Sequence, residues 1–426
     1  MAKKQLTNEE KLYSKKIKKP PYLIYNILGG VWKLLFKRKY GLTYTFNYDF
    51  RKEKGPCIFI SNHSSRMDYI FVGLPLLPNN FNFVAGYNEF YRSHLKGVFS
   101  LLKVIPKKNF TPDFYAIKEI SRVIKDGGKI VLFPEGMNSI AGMNQPVAIG
   151  TGKLIKHFNV PVYYSVIRGG YMTAPKYKQD EHLGKVEVVF DRMFAPDDIK
   201  NLTDTEIEDV INQKLYHDDI KWNKERQIHY TNMETIANGL ENLLYICPKC
   251  GKEFTLKGDG NIFKCNDCGY GVTIDDTYQM HAINDNDLIF STQTEWFNWQ
   301  RGVVKQQIKD GLGKFSCKVK LGTLPDYKPL KDLNTSYITG EGVVTIDENG
   351  FTYNGTNNGE DFTFNLSPKE VPTYGMCTDI SRFYTFYKGK FYEFYPETPC
   401  VEKIFLLTEE IHRASGGKWQ DFKFDK

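Results

Sequence analysis

Two Cys-x-x-Cys pairs constrain what this chain can fold into more than any other feature. Cys247-Pro248-Lys249-Cys250-Gly251 and Cys265-Asn266-Asp267-Cys268-Gly269 are separated only by Gly251 to Lys264, a spacing close to that of a zinc ribbon. Four thiolates, Cys247, Cys250, Cys265 and Cys268, complete a tetrahedron around Zn²⁺ and leave no open position for a reacting water, so the metal is expected to be structural. Folding of so short a segment is expected to depend on that metal. The glycine after each pair permits the turn under the thiolates. Of the eight cysteines the other four, Cys57, Cys317, Cys377 and Cys400, are scattered. That is metal-site usage in a reducing compartment, not a disulfide framework. With 426 residues the chain exceeds one ordinary core, and two or three domains are expected.

The formal charge of +7 is unevenly placed. Lys3, Lys4, Lys11, Lys15, Lys16, Lys18, Lys19, Lys33, Lys37, Arg38 and Lys39 face only Glu9 and Glu10 in segment 1–40. Such a cluster attracts nucleic acid or an anionic lipid surface, or is simply a solvated tail. Between the lysines runs PYLIYNILGGVWKLLF, from Pro21 to Phe36. A spanning helix needs about 20 mostly apolar residues, and Lys33 interrupts this stretch. A segment lying in the membrane interface, apolar side in lipid and lysines at the headgroups, fits better, with a buried core helix as the alternative. No small-residue cleavage site follows the apolar run. The expected location is the cytoplasmic face of a membrane, peripheral or monotopic, with the anionic surface as partner.

From 41 to 235 short β-rich runs alternate with helical patterns. Strands are expected at Pro56–Ser61, Phe81–Ala85, Lys129–Phe133, Val160–Ile167 and Lys185–Phe190, and helices at Asp113–Lys125 and Gly150–Phe158. Asp126-Gly127-Gly128 ends the first helix. This alternation argues an α/β domain with a largely parallel sheet. Charged residues from Pro196 to Arg226 form a helical closing segment.

Two short blocks in this region carry chemistry. Asn62-His63-Ser64-Ser65-Arg66-Met67-Asp68 follows the first strand. His63 and Asp68 are wrongly spaced for one helical face. They can meet if His63 ends the strand-to-helix turn and Asp68 opens the helix, with Ser64 and Ser65 as capping residues. A carboxylate that fixes a neutral imidazole in one tautomer makes a general base. Phe133-Pro134-Glu135-Gly136 likewise follows a strand, at the end of the sheet where ligands gather. Gly136 allows close backbone approach, and Glu135 can accept hydrogen bonds from hydroxyls. Cys57 sits within a strand and reads as core rather than as a nucleophile. Gly150-Thr151-Gly152-Lys153-Leu154 resembles a phosphate loop only superficially, because Val147 and Leu154 stand where the pattern needs glycine and a hydroxyl residue.

Together the blocks resemble the glycerophospholipid acyltransferase family, and lysophosphatidic acid acyltransferases most closely, over roughly residues 20 to 220. The resemblance implies that His63 and Asp68 activate an acceptor hydroxyl, which attacks an acyl thioester directly. It implies that Glu135 and Gly136 help bind the acceptor. Lys107, in Val104-Ile105-Pro106-Lys107-Lys108, stands where a phosphate-binding arginine is common. Val160-Pro161-Val162 matches a further block. The sequence departs from the family after Gly136, where Met137-Asn138-Ser139 replaces Thr-Arg-Ser and removes a phosphate fork. Lys107, Lys108, Lys153 or Arg168 can supply that charge. The expected substrate-binding set is Asn62, Lys107, Glu135, Gly136 and Arg168. The donor implied is acyl-CoA or acyl-carrier protein, and the acceptor a lysophospholipid or glycerol phosphate.

Beyond a ribbon at 244–271, segment 275–426 is β-rich. Phe383–Tyr387, then Lys388-Gly389-Lys390, then Phe391–Tyr395 is a strong hairpin signal, and a helix is expected from Val401 to Ser415. An antiparallel barrel or sandwich closed by one helix is expected, comparable to a pleckstrin-homology fold. A zinc ribbon beside a basic amino terminus also permits nucleic-acid binding. The ribbon, however, balances Lys249, Lys252, Lys257 and Lys264 against Glu253, Asp259 and Asp267, so no nucleic-acid partner is expected.

Overall fold

A computed structural model describes residues 5–284, 287–331 and 334–419. The chain opens with α1 (Asn8–Tyr13) and α2 (Tyr22–Lys39), followed by strands β1 (Thr43–Phe46) and β2 (Cys57–Ser61). Next come α3 (Asp68–Gly73), β3 (Asn82–Gly86), α4 (Ser93–Leu101), β4 (Ile105–Lys107), α5 (Phe114–Lys125) and β5 (Lys129–Leu132). The unit continues with α6 (Thr151–Phe158), β6 (Val162–Arg168), α7 (Gly170–Thr173) and β7 (Glu187–Phe194). Helices α8 (Pro196–Lys200), α9 (Asp204–Leu215) and α10 (Asp219–Arg226) close it, so the charged segment is three helices.

The seven strands form one sheet in the order β1-β7-β6-β2-β5-β3-β4. Every pairing is parallel except β6 with β7. The central β2 is buried along its whole length, as a parallel strand covered by helices on both faces must be. Its pleat separates two cores: Ile58 and Ile60 join Ile120, Ile130 and Ile155 on one side, while Phe59 joins Phe50, Val131 and Tyr163 on the other. The α5 N-cap is the Asp113 carboxylate, which accepts from the Ala116 N–H at 3.0 Å. The helix stops where Gly127 takes a positive φ of 71°. β1 and β4 carry no sequence signal, being short edge strands with too few residues for an alternating pattern.

The second sheet is the ribbon, β8 (Leu256–Asp259), β9 (Ile262–Cys265), β10 (Gly271–Ile274) and β11 (Met280–Ala282), antiparallel and in the order β11-β10-β9-β8. α11 (Gln293–Lys309) follows, entered through a Thr292–Glu295 capping box. The third sheet comprises β12 (Phe315–Thr323), β13 (Tyr337–Asp347), β14 (Gly350–Asn357), β15 (Glu360–Leu366), β16 (Gly375–Met376), β17 (Phe383–Tyr387) and β18 (Lys390–Pro396). Its order is β15-β14-β13-β12-β18-β17-β16, antiparallel throughout. The β17–β18 turn uses Lys388 and Gly389, both at positive φ (47° and 74°), as a two-residue hairpin loop prefers. α12 (Val401–Ala414) then packs on the sheet and against α11.

One apolar core joins the ribbon and carboxy-terminal sheets to loops and helices of the first unit. It contains Met137, Tyr171 and Tyr177 from the first unit, Leu256, Phe263 and Val272 from the ribbon, and Val344, Phe351, Phe394 and Ile404 from the carboxy-terminal unit. Trp296 sits at its centre, fully buried, against the rings of Phe263, Tyr270 and Phe290. Its Nε1–H donates to the Ile246 carbonyl at 3.0 Å. Four residues on, Gln300 Oε1 accepts from the Tyr245 and Ile246 N–H groups, so α11 grips the chain just before the first zinc knuckle. Trp296→Ala is expected to lower stability by about 3–5 kcal/mol, and denaturant unfolding monitored by circular dichroism checks it.

Candidate active site

In the parallel register Ile60 pairs with Leu132, so His63 and Glu135 lie equally far beyond neighbouring strands, at one end of the sheet. His63 Nδ1 is 2.8 Å from Asp68 Oδ2. Asp68 is the first residue of α3 and fully buried. Its Oδ1 accepts from the Ser64 hydroxyl at 2.8 Å and the Ser65 hydroxyl at 3.1 Å, while Oδ2 also accepts from the Ser65 N–H at 3.0 Å. The two serines therefore serve the carboxylate rather than cap the helix, whose N-cap is Met67 without a side-chain bond. Donors on every side satisfy the buried anion. The imidazole stacks on Phe133 at 4.6 Å. With Nδ1–H directed at Asp68, Nε2 is left as the proton acceptor.

Glu135 holds this turn from behind. It is fully buried; Oε1 accepts from the His63 N–H and Oε2 from the Gln145 N–H, each at 2.7 Å. Burial pushes its carboxyl well above the usual range against those two donors. The His63 carbonyl in turn accepts from the Ser139 N–H at 2.7 Å. Gly136 takes a positive φ of 80° and lies so close to Phe110 that a Cβ would come within 3.0 Å of the ring.

His63 opens into a cavity of about 2170 Å³. Its roof includes Tyr25, Leu28 and Trp32 of α2, its floor Leu132 and Phe133, and its far wall Met376, Arg382 and Tyr384 of the carboxy-terminal unit. The cations that line it include Arg66, Lys107 and Lys176. Burial lowers the basicity of all three. Asn109 Nδ2 donates to the Gly136 carbonyl at 2.8 Å, which ties the Lys107 loop to the glycine.

A family model described as Acyltransferase matches residues 43–168. Residues 43–168 are an acyltransferase domain. The carboxy-terminal part of the chain lies outside this match. A second model, described as the 7 kDa subunit of DNA-directed RNA polymerase, matches residues 240–274. Among solved structures the chain is similar to the 1-acyl-sn-glycerophosphate (LPA) acyltransferase PlsC from Thermotoga maritima. Identity there is 18%, the TM-score 0.39, and the match covers 48% of this chain and 80% of that one. No curated protein matches the chain in sequence.

Within the acyltransferase domain His63, Lys107 and Gly136 line the cavity, and Asp68 supports His63 from beneath. Asn62, Glu135 and Arg168, expected to contact substrate, do not line it. Asn62 instead clamps β6: its Nδ2 donates to the Ile167 carbonyl at 2.9 Å and its Oδ1 accepts from the Ile167 N–H at 2.7 Å. Both Glu135 oxygens are taken by backbone donors. Arg168 lies half-buried at the end of β6, opposite Glu187 in the register. Arg66 and Lys176 were not anticipated. Arg66 was visible inside the His-to-Asp block, but nothing local to Lys176 signals its position.

The four ribbon thiols lie within 4.8 Å of one another. Cys247 and Cys268 are 3.6 Å apart and Cys250 and Cys265 3.9 Å, close to the edge of a tetrahedron with Zn–S distances of about 2.3 Å. Gly251 and Gly269 have positive φ of 72° and 76°, as each knuckle turn requires. The donor set fits structural zinc, with all four positions filled by protein. Because this site lies within the shared core, Cys265→Ser or strong chelation is expected to release zinc and lower the melting temperature of the whole chain. Metal analysis beside a calorimetric scan checks both.

Proposed function

We propose that the protein transfers a fatty acyl group from acyl-CoA or acyl-carrier protein to the hydroxyl of lysophosphatidic acid, making phosphatidic acid for phospholipid biosynthesis. The observation that carries this reading is His63, oriented by a buried, fully hydrogen-bonded Asp68 in the wall of a long, mostly apolar cavity. His63 Nε2 takes the proton of the acceptor hydroxyl as that oxygen bonds to the thioester carbonyl carbon. The tetrahedral intermediate collapses with cleavage of the C–S bond, and the imidazolium returns its proton to the departing thiolate. Asp68 stabilises the imidazolium between the two steps. A thioester is already activated, so no enzyme nucleophile is needed. Cys57 is buried, with its thiol pushed up to about 12, which disfavours the thiolate an acyl-cysteine route requires.

The location proposed is the cytoplasmic face of an anionic membrane. Along α2, Leu23, Ile27, Val31, Leu34 and Leu35 are exposed in one stripe, Leu34 by 81%. Lys33, Lys37, Arg38 and Lys39 accompany them. An apolar stripe beside cations suits the boundary between acyl chains and anionic headgroups. Among the described residues no helix is long and apolar enough to cross a membrane. Phe114 and Ile117, on the cavity rim, are also exposed (83% and 41%), which supports entry of a lipid chain from that surface. The carboxy-terminal unit is comparable to a pleckstrin-homology fold, with seven antiparallel strands followed by one helix. The ribbon lysines are ion-paired at the surface: Lys249 with Asp287, Lys252 with Asp267 and Lys257 with Glu241.

The test is acyl transfer by purified protein in anionic vesicles, with lysophosphatidic acid and glycerol 3-phosphate as alternative acceptors. His63→Ala is expected to lower turnover by about 10²- to 10⁴-fold with the fold retained. Asp68→Asn is expected to lower it through loss of the oriented tautomer. Wild-type rates in both variants would remove the proposed base from the mechanism. Ile27→Glu with Leu34→Glu is expected to weaken vesicle association by at least about tenfold, from the transfer energy of two apolar side chains. Co-sedimentation unchanged from wild type would contradict the α2 assignment.

A further inference from the structure

Lys176 is a cation buried in the protein. Only 3% of the residue is exposed, yet it lines the same cavity as His63. Its two hydrogen-bond partners are neutral: Asn138 Oδ1 at 2.7 Å and the Met376 carbonyl at 2.8 Å. Among the described residues no carboxylate lies within ion-pair distance; Asp379 and Glu402 act on it only from farther away. Arg66, which also lines the cavity, adds a repelling positive field. The Arg66 guanidinium is likewise bound only to neutral groups, the carbonyls of Lys178, Gln179 and Asp180. Burial of an ammonium beside a guanidinium, with carbonyls and an amide as sole direct partners, is costly without a counter-anion. Without one, burial pushes Lys176 down to about 8.

The pair is close to the reacting group. Asn138, which receives Lys176, is bonded to Ser139, whose N–H donates to the His63 carbonyl at 2.7 Å. Arg66 lies in the turn between His63 and Asp68. Lys176 thus brings a positive charge to Asn138 from a distant part of the chain. The carboxy-terminal unit holds it there: Met376 opens onto Lys176 Nζ, and the Asp379 N–H donates to the Lys176 carbonyl at 2.8 Å.

We propose that Arg66 and Lys176, the latter held in place by the Met376–Asp379 segment of the carboxy-terminal unit, form a phosphate-binding subsite beside His63. The ligand is a phosphate ester carried by one of the two reactants, either the glycerol phosphate headgroup of the acceptor or the phosphates of the acyl carrier. A phosphate supplies the missing negative charge, accepts from the ammonium and places the attached chain in the apolar cavity. The carboxy-terminal unit thereby becomes part of the substrate site. The assignment rests on the acyl-transfer reading only for the identity of the phosphate bearer, since a buried ammonium without a carboxylate partner calls for an anion under any chemistry.

The experiment is titration calorimetry of the zinc-loaded full chain with glycerol 3-phosphate and, separately, with coenzyme A. Two variants accompany the wild type. Lys176→Met removes the cation. Asn138→Asp keeps an oxygen for Lys176 to donate to, but cancels its charge within the protein. Both are expected to weaken binding of one titrant by about 10- to 100-fold, the range for a hydrogen bond to a charged group, and the titrant affected names the phosphate bearer. If Lys176→Met does not fold, Asn138→Asp alone decides. Wild-type affinity for both titrants in Asn138→Asp, or no binding of either to the wild type, overturns the proposal. Anion binding lost in the variants of a protein without transferase activity would leave the subsite standing and the reaction fallen. Turnover with unaltered anion binding would do the reverse.

Discussion

The shared apolar core around Trp296 is the constraint on which the rest of the molecule depends. A ribbon this small has too little interior to stand alone, and zinc provides it with a fixed frame. Here that frame is also a filler. Phe263 and Val272 of the ribbon, Tyr171 and Tyr177 of the acyltransferase domain, and Phe351 and Ile404 of the carboxy-terminal unit belong to the same buried cluster. The first sheet has its own two cores, but the ribbon and the carboxy-terminal sheet close theirs against each other and the first unit. The amino terminus adds a further tie: the Asn8 side chain donates to the Pro325 and Lys328 carbonyls, and Lys108 Nζ donates to the Gly389 carbonyl at 2.6 Å. A far wall made by the carboxy-terminal unit is therefore held in fixed relation to His63.

Within that frame the buried charges divide by how they are satisfied. Asp68 accepts from four donors and is stable as an anion inside the protein. Glu135 accepts from two backbone N–H groups and spans the turn that presents His63. Its conspicuous sequence context had suggested contact with substrate, yet both its oxygens are used to fix backbone. The same distinction separates Arg382, paired with Glu393 at 3.3 Å, from Lys176 and Arg66, which have carbonyl and amide partners only. All three cations line the cavity, and Lys176 is the one that is buried there without a carboxylate partner among the described residues.

The α/β alternation, the central strands, the helix stop at Gly127, the β17–β18 hairpin and the terminal helix were all legible in the sequence. Each rests on local physics: hydrophobic period, a turn residue or a cap. The meeting of His63 and Asp68 was legible too, because a strand-to-helix turn can bridge their spacing. Edge strands β1 and β4 were not, for their pairing comes from neighbours distant in the chain. The roles of Asn62 and Glu135 were hidden for a related reason. A motif marks a position as constrained without saying whether the side chain faces ligand or backbone, and only the long-range bonds to Ile167 and Gln145 decide that. Lys176 was the hardest to see, as its partners Asn138 and Met376 come from separate parts of the chain.

The cavity also joins two requirements that usually conflict. Acyl chains need a wide apolar space, whereas proton transfer at His63 needs a fixed polar pair and an anion needs nearby cations. Here the polar groups lie at the sheet end, held by backbone donors and serine hydroxyls. α2 covers the apolar length with Tyr25, Leu28 and Trp32 and leaves Leu34 and its neighbours facing outward. One helix can thus face a lipid surface with one side and roof the cavity with the other. A lipid that entered under it would bring its chain along the apolar walls and its headgroup to the cationic end, where the hydroxyl to be acylated lies within reach of His63.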